Sequence, residues 1–444
     1  MKSAGPLGWL RRALAVATAV LWASHARAQD AAVHAINRGP WSPYSASVFT
    51  EGEGLPINER QALHLGAALE GGYDSNLFYR RPKDAIGAGV LRLRCRINLA
   101  TRRPADADAE IRSADPELAY KLPLQVDFRQ YLGSGDLRGQ SLLNLLAEPS
   151  LTIWPAGPLT IVLSDTFIHS VDPRNAETFI GRSTRASNRA SLVGHVRIGG
   201  GRLELGAGGS FQGTLWESRN VRYANYIEVE AQTFARWHFD TELAASLHVR
   251  GGYLRYGRPE LDSRPLRALL VVEDKLSRWL RVSAGGGYGN SFNVAGSSFS
   301  GPLATAEANL TTPWQGVVTL GYERDFFQSL FANFYTDDHF MLGYAHPFER
   351  DFTARAEGGV RLRQYQDLLA PTVIGVIGYN AAARNDTIYE GNLELAYRPR
   401  PWFTAALTYN VQVDDTSFAF VTDGGAVEAR YVKHSIFLRG EIGN

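Results

Sequence analysis

Arginine occupies alternate positions in Leu91-Arg92-Leu93-Arg94-Cys95-Arg96, and Arg355, Arg361 and Arg363 share a common parity further along. Guanidinium groups gathered on one face can hold anionic or hydroxyl-rich solutes through forked hydrogen bonds. Asp127, Arg129, Glu228, Glu230, Arg250, Glu357 and Glu394 fall in the same kind of pattern. Charges of both signs on facing walls create a transverse field and order water, which suits passage of polar solutes. The same groups could instead pair across strands and plug the space between them. The sequence leaves these two readings open.

Catalytic chemistry finds little support. There is no glycine-rich phosphate loop, HExxH or CxxC. His64, His169, His195, His248, His339 and His434 are scattered singly, so no metal, cofactor or catalytic residues are expected. Asp337-Asp338-His339 is the one local acidic–histidine cluster, and such a cluster is ordinarily a solvated strand end. A hydrolase that uses Ser/His or Asp/His pairs across strands remains the least favoured alternative. The net charge of +1 gives no case for a nucleic-acid partner.

The elements that must position these charges are strands. Leu91, Leu93, Cys95, Ile97 and Leu99 alternate with Arg92, Arg94, Arg96 and Asn98. A helix would mix the two sets around its circumference, whereas a strand separates them onto two faces. The alternation returns at Ala354–Arg363 and Phe403–Gln412, and in shorter form through most of the chain from Leu63 onward. The 44 glycines and the many aromatics suit a β-rich chain.

Tight corners rich in Pro, Gly and Trp punctuate the strands at Trp154–Pro158, Gly199–Gly201, Trp237–Asp240, Asp274–Trp279, Pro313–Gly316, Pro347–Asp351 and Pro399–Trp402. Between successive corners lie two long alternating segments joined by a more polar connection, such as Gly257–Arg264 or Asp414–Arg430. Short turns at one end and long loops at the other, with aromatics beside the turns, are the anatomy of an outer-membrane barrel. At about ten residues per spanning strand the chain provides roughly eighteen strands, or sixteen at the lower bound. The expected fold class is all-β, a transmembrane antiparallel barrel. A propeller is disfavoured because its blade packs four short strands into about 40 residues, where this chain has two long ones. Pro265–Val272 is the weakest strand of the set, and the loop Gln366–Asp386 contains an apolar core, Thr372–Tyr379. That core is expected to fold inward as a constriction or to extend the wall as a hairpin.

The start of the chain points to the same compartment. Lys2, Arg11 and Arg12, an apolar run to Ala23, and Ala26-Arg27-Ala28 form the pattern of a secretory signal over residues 1–28. Residues 29–60 are expected to be a loosely ordered periplasmic leader, and 61–444 the barrel. The expected location is the outer membrane of a Gram-negative bacterium. The lipid bilayer and the barrel-assembly machinery are the expected partners, although the aromatic that often ends such barrels is missing from Ile442-Gly443-Asn444.

Gly71-Gly72-Tyr73-Asp74-Ser75-Asn76-Leu77-Phe78 resembles the opening motif of the outer-membrane β-barrel porins of proteobacteria, and Glu323-Arg324-Asp325-Phe326 with Ser329 resembles a further element of that family. The resemblance implies a barrel of about eighteen strands akin to those proposed as polysaccharide-export portals in myxobacteria. It thereby implies a periplasmic polysaccharide export protein as partner, with a general diffusion porin for small polar solutes as the alternative. It supplies no catalytic residues. Asp74 and Asn76 are expected to shape a turn by bonding to their own backbone.

Overall fold

The computed structural model describes residues 54–444 except 59, 102–116, 134–136, 138–140, 172–176, 178–183, 218 and 349–350. The signal segment lies outside the described residues, as does most of the expected leader. The alternating segments form eighteen barrel strands. They are β1 (Gln61–Asp74), β2 (Ala88–Thr101), β3 (Leu118–Leu132), β4 (Ser141–Ala147 and Ser150–Ile153), β5 (Leu159–Ser170), β6 (Arg185–Ile198), β7 (Leu203–Trp216), β8 (Tyr226–His238) and β9 (Ala244–Tyr256). The second half is β10 (Leu266–Asp274), β11 (Leu280–Asn290), β12 (Ser300–Thr311), β13 (Val317–Phe327), β14 (Ala332–Pro347), β15 (Phe352–Leu368), β16 (Arg384–Arg400), β17 (Phe403–Asp415) and β18 (Tyr431–Gly443). Each strand pairs antiparallel with the next, and β18 returns to β1 from Gly66↔Gly443 to Asp74↔Ser435, which closes the barrel. Closure gives every barrel strand a neighbour on both sides, as a hydrocarbon environment demands.

Side-chain alternation places the apolar set outside. Leu91 and Leu93 are 41% and 47% exposed, while Arg92 and Arg94 between them are 2% and 5% exposed. Trp154, Trp237, Trp314, Phe348 and Trp402 stand exposed around the short-turn end, which is an interfacial aromatic girdle. The molecule is an outer-membrane β-barrel. Its lipid-facing belt, girdle and unequal ends all agree with that location.

Local chemistry fixes the short turns. Gly199, Gly200 and Gly201 all take positive φ, at 64°, 70° and 90°, where a Cβ would be strained. In the β8–β9 turn the Asp240 carboxylate accepts the amides of Glu242 and Leu243, both at 2.7 Å, and those bonds hold its pKa below the ordinary carboxylate value. β4 is interrupted at Glu148-Pro149 without a change of register, since proline cannot donate to the ladder. The weakest segment in the sequence is nevertheless a strand, β10, paired on both sides.

One stretch differs from expectation. Leu55–Asn58, read as part of a loosely ordered leader, forms a short strand against Gln61–Leu63. The reason lies at the seam, where β18 covers β1 only from Gly66 upward. The bare lower edge of β1 is a template for one more strand. The last residue helps to close the same corner, as the Asn444 side chain accepts the Leu65 amide at 2.7 Å.

Candidate functional site

The inner wall and the long-loop mouth hold the chemistry. Every one of the thirteen charged positions singled out in the sequence lies on an inward-facing register position, opposite the exposed apolar residues of its own strand. The structure joins most of them into ion networks with carboxylates and arginines that the sequence reading had not selected.

On β1–β3, Glu70 and Asp127 share the arginine stripe. Arg92 donates to Glu70 at 3.2 Å and to Asp127 at 3.0 Å, Arg94 lies 3.1 Å from Glu70, and Arg129 lies 3.1 Å from Asp127. Arg96 continues the stripe toward the short-turn end and is half-buried. On β6–β9, Glu230 receives Arg189 at 2.9 Å and Arg250 at 3.1 Å, with half-buried Glu228 one inward step away. On β14–β16, Asp337 accepts from Arg361 and Arg363, both at 3.1 Å, and Arg361 also reaches Glu390 at 3.2 Å. Glu394 pairs with Arg439 of β18 at 3.3 Å. Arg355 and Glu357 lie lower on the same wall and are exposed, with Arg355 directly opposite Glu394 in the ladder.

The wall is therefore lined by alternating charges rather than by uniformly positive stripes. Asp337-Asp338-His339 divides across it. Asp337 and His339 face inward, while Asp338 faces outward and accepts from Arg324 at 2.7 Å and from the Tyr322 hydroxyl at 2.7 Å. An alternating strand cannot bring adjacent residues to one side, so the three side chains do not converge on one site. Ser246 and His248, 3.0 Å apart, are buried on the inner face and away from the lipid surface. Among the described residues no group of His, Cys, Asp and Glu is arranged to hold a metal ion.

The mouth is narrowed by packed loops. Trp216, Val221, Phe331, Tyr335, Tyr365, Ile374, Val376, Phe418 and Phe420 form one buried cluster. Its residues come from four connections at the long-loop end and from the upper inner wall. The apolar core Thr372–Tyr379 joins it by two routes. Pro371–Ile374 makes one helical turn that buries Ile374, and Gly378–Tyr379 pairs with Ala419–Thr422 of the β17–β18 loop in a small three-stranded sheet. The segment thus folds over the mouth and does not lengthen the wall.

Beneath the cluster Arg384 is fully buried. It donates to Asp386 at 2.8 and 2.9 Å, reaches Asp414 at 3.4 Å, and lies over the rings of Phe331, Tyr365 and Phe418. From the far side of the ring, Glu177 in the β5–β6 connection reaches the β13–β14 connection. It accepts the Ser329 hydroxyl at 2.5 Å and the Leu330 amide at 3.2 Å. This contact is a chord across the barrel mouth.

Burial holds the Glu177 carboxyl above its ordinary pKa, against the opposing pull of the Ser329 hydrogen bond. A carboxyl raised on folding contributes stability that is fully present below its unfolded pKa and is lost as pH rises through the folded value. The chord should therefore hold best in acid and loosen as pH rises. Channel noise recorded across a pH series should grow toward the alkaline side, and Glu177→Gln should remove that dependence.

No family model and no curated protein matches the chain. Solved structures do. OccK2 (OpdF) of Pseudomonas aeruginosa in complex with glucuronate is 10% identical over 86% of this chain and 98% of its own, with a TM-score of 0.49. OpdK of the same organism with vanillate is 11% identical over 86% and 99%, at 0.47. OccAB4 of Acinetobacter baumannii is 12% identical over 88% and 100%, also at 0.47.

The residues missed in the sequence share one property. Glu70 and Glu390 sit on alternating strands, but their partners are known only once register is known. Glu177, Arg384 and Asp414 border the loops, where no periodicity marks them. The turn residues were better signalled. The Asn76 amide donates to Asp74 at 3.0 Å, while Lys433 of the last strand meets Asp74 at 2.8 Å and the Asn76 carbonyl at 3.1 Å. The opening motif thus fastens the barrel seam as well as shaping its own turn.

Proposed function

We propose that this chain is an outer-membrane channel for the passive diffusion of small polar solutes. The observation that carries the reading is the inner wall, where buried arginines and carboxylates alternate around a closed barrel whose mouth is crossed by a chord of loop contacts. Fixed charges of both signs stabilise water and polar groups inside the span without a deep trap for either sign. A crossed mouth favours small solutes over a polymer strand. Polysaccharide export with a periplasmic partner rests on the sequence resemblance alone, and no feature of the wall or mouth favours it.

Single-channel currents across planar bilayers test the proposal. The refolded barrel should give discrete openings with weak ion selectivity, because its arginines are matched by carboxylates. A folded barrel that stays electrically silent at all voltages would overturn the reading.

A further inference from the structure

Two arginines stand on the outer surface where the barrel leaves the membrane. Arg255 pairs with Ile227 in the β8–β9 ladder, and Ile227 faces lipid at 48% exposure. Arg255 therefore points outward, and it is itself exposed. Arg264 precedes β10. Leu254 and Ser263 exchange amide-to-carbonyl bonds of 2.9 and 3.1 Å, which carries the ladder past β10 and sets Arg264 opposite outward-facing Tyr253. Arg264 is thus also outward and exposed. Reckoned from Ala244 and Asp274 at the short-turn ends, both lie roughly 23–26 Å up the wall, for strands rising about 3.3 Å per residue at a tilt near 45°. That is the upper rim of an apolar belt about 25 Å tall, on the side of the long loops, which face outside the cell.

Arg255 and Arg264 are diagonal neighbours on one face, on the order of 7–8 Å apart. Among the described residues neither guanidinium has an ion pair or a hydrogen bond. Asp262, opposite Arg255, is buried and engaged locally, accepting the Tyr256 amide at 2.7 Å and the Tyr253 hydroxyl at 3.3 Å. Arg258 and Glu260 follow in the loop and offset each other in charge. Further round the wall, outward Arg324 is matched by Asp338 at 2.7 Å.

Phe292 supplies a second observation. The Arg264 amide donates to the carbonyls of Ser291 and Phe292 at 3.0 and 3.3 Å, which places Phe292 beside it on the next strand. Phe292 takes a φ of 40°, a conformation that bulky L-residues rarely adopt, yet its ring is 49% exposed. Packing within the chain does not offset that strain. Strain of this kind gathers where a backbone clamps a ligand.

We propose that this rim of β9 and β10 binds a phosphorylated glycolipid of the outer leaflet. Arg255 and Arg264 fork onto one phosphate, Tyr253 and Phe292 flank the headgroup, and acyl chains lie along exposed Leu266 and Leu270. A phosphate monoester carries about −1.5 to −2 charge, which two guanidiniums without an internal counter-charge balance. The inference rests on the outer-membrane location and is independent of what the lumen conducts.

Native mass measurement of the intact barrel from mild detergent, titrated with lipid A, tests it. The wild type should retain one lipid A. Dephosphorylated lipid A should bind more weakly by about tenfold or more, the loss expected for charge-assisted hydrogen bonds. Arg255→Gln combined with Arg264→Gln should weaken lipid A by a similar factor while keeping the folded-barrel mobility on unheated gels. Arg278→Gln, at the opposite rim where the side chain lies over Trp279, should leave retention unchanged. A wild type that retains no lipid A would overturn the proposal, as would full retention by the double variant or an equal loss in Arg278→Gln. Phosphatidylglycerol held as tightly as lipid A would overturn the glycolipid as the occupant.

Discussion

Replacing Arg384 by alanine should destabilise the barrel by about 3–5 kcal/mol, the range for breaking a buried ion pair by removing one partner. The reason is what remains behind. Asp386 and Asp414 are both buried beside Arg384, and its guanidinium is the cation that holds both at hydrogen-bond distance. Truncation leaves two carboxylates facing each other beneath an aromatic cluster, and it removes the stacking on Phe331, Tyr365 and Phe418. Unfolding by urea in lipid vesicles, followed by tryptophan fluorescence, gives the difference. The same reasoning makes a counter-intuitive second expectation. Replacing all three members by leucine should cost less than Arg384→Ala alone, because an apolar substitution leaves no uncompensated charge. A triple variant less stable than the single one would show that the network stabilises the mouth beyond simple charge balance.

How much of this was legible in the sequence follows from the range of the physics involved. The strands could be read because side-chain alternation is local and the membrane imposes it on nearly every segment. Leu91–Leu99 needs no knowledge of its neighbours to declare two faces. The corners could be read because residues such as Gly199–Gly201 and Asp240 fix the backbone themselves. Even the weak segment around Leu266 became a strand, since two paired neighbours supply what its own pattern lacks. Charge pairing was not legible. Arg361 could be assigned to the inner face from parity, but its bonds to Asp337 and Glu390 depend on the registers of β14 and β16. The mouth was least accessible of all. Thr372–Tyr379 announced itself as an apolar run in a loop, yet its partners Phe331, Phe418 and Trp216 come from three other connections or strand ends. The chord through Glu177 joins residues more than one hundred positions apart.

Removing that apolar run should change transport most. If residues 372–379 are replaced by a short Gly-Ser linker, the cluster loses Ile374, Val376 and Tyr379, and the Ala419–Thr422 strand loses its pairing with Gly378–Tyr379. Two loops that brace each other over the mouth are then released together. The barrel wall should persist, because β15 and β16 pair over their whole shared length independently of the loop. Conductance should rise severalfold, and larger uncharged solutes should pass in liposome-swelling assays that exclude them from the wild type. Glu177→Ala alone should produce a smaller increase, because it cuts the chord but leaves the aromatic cluster packed. The order of the two effects separates the causes. If Glu177→Ala matches the loop deletion, the chord is the narrowing element and the cluster is only its support. If the deletion leaves conductance unchanged, the constriction lies deeper, among the paired charges of the inner wall, and substitutions such as Arg361→Ala should then become the ones that open it.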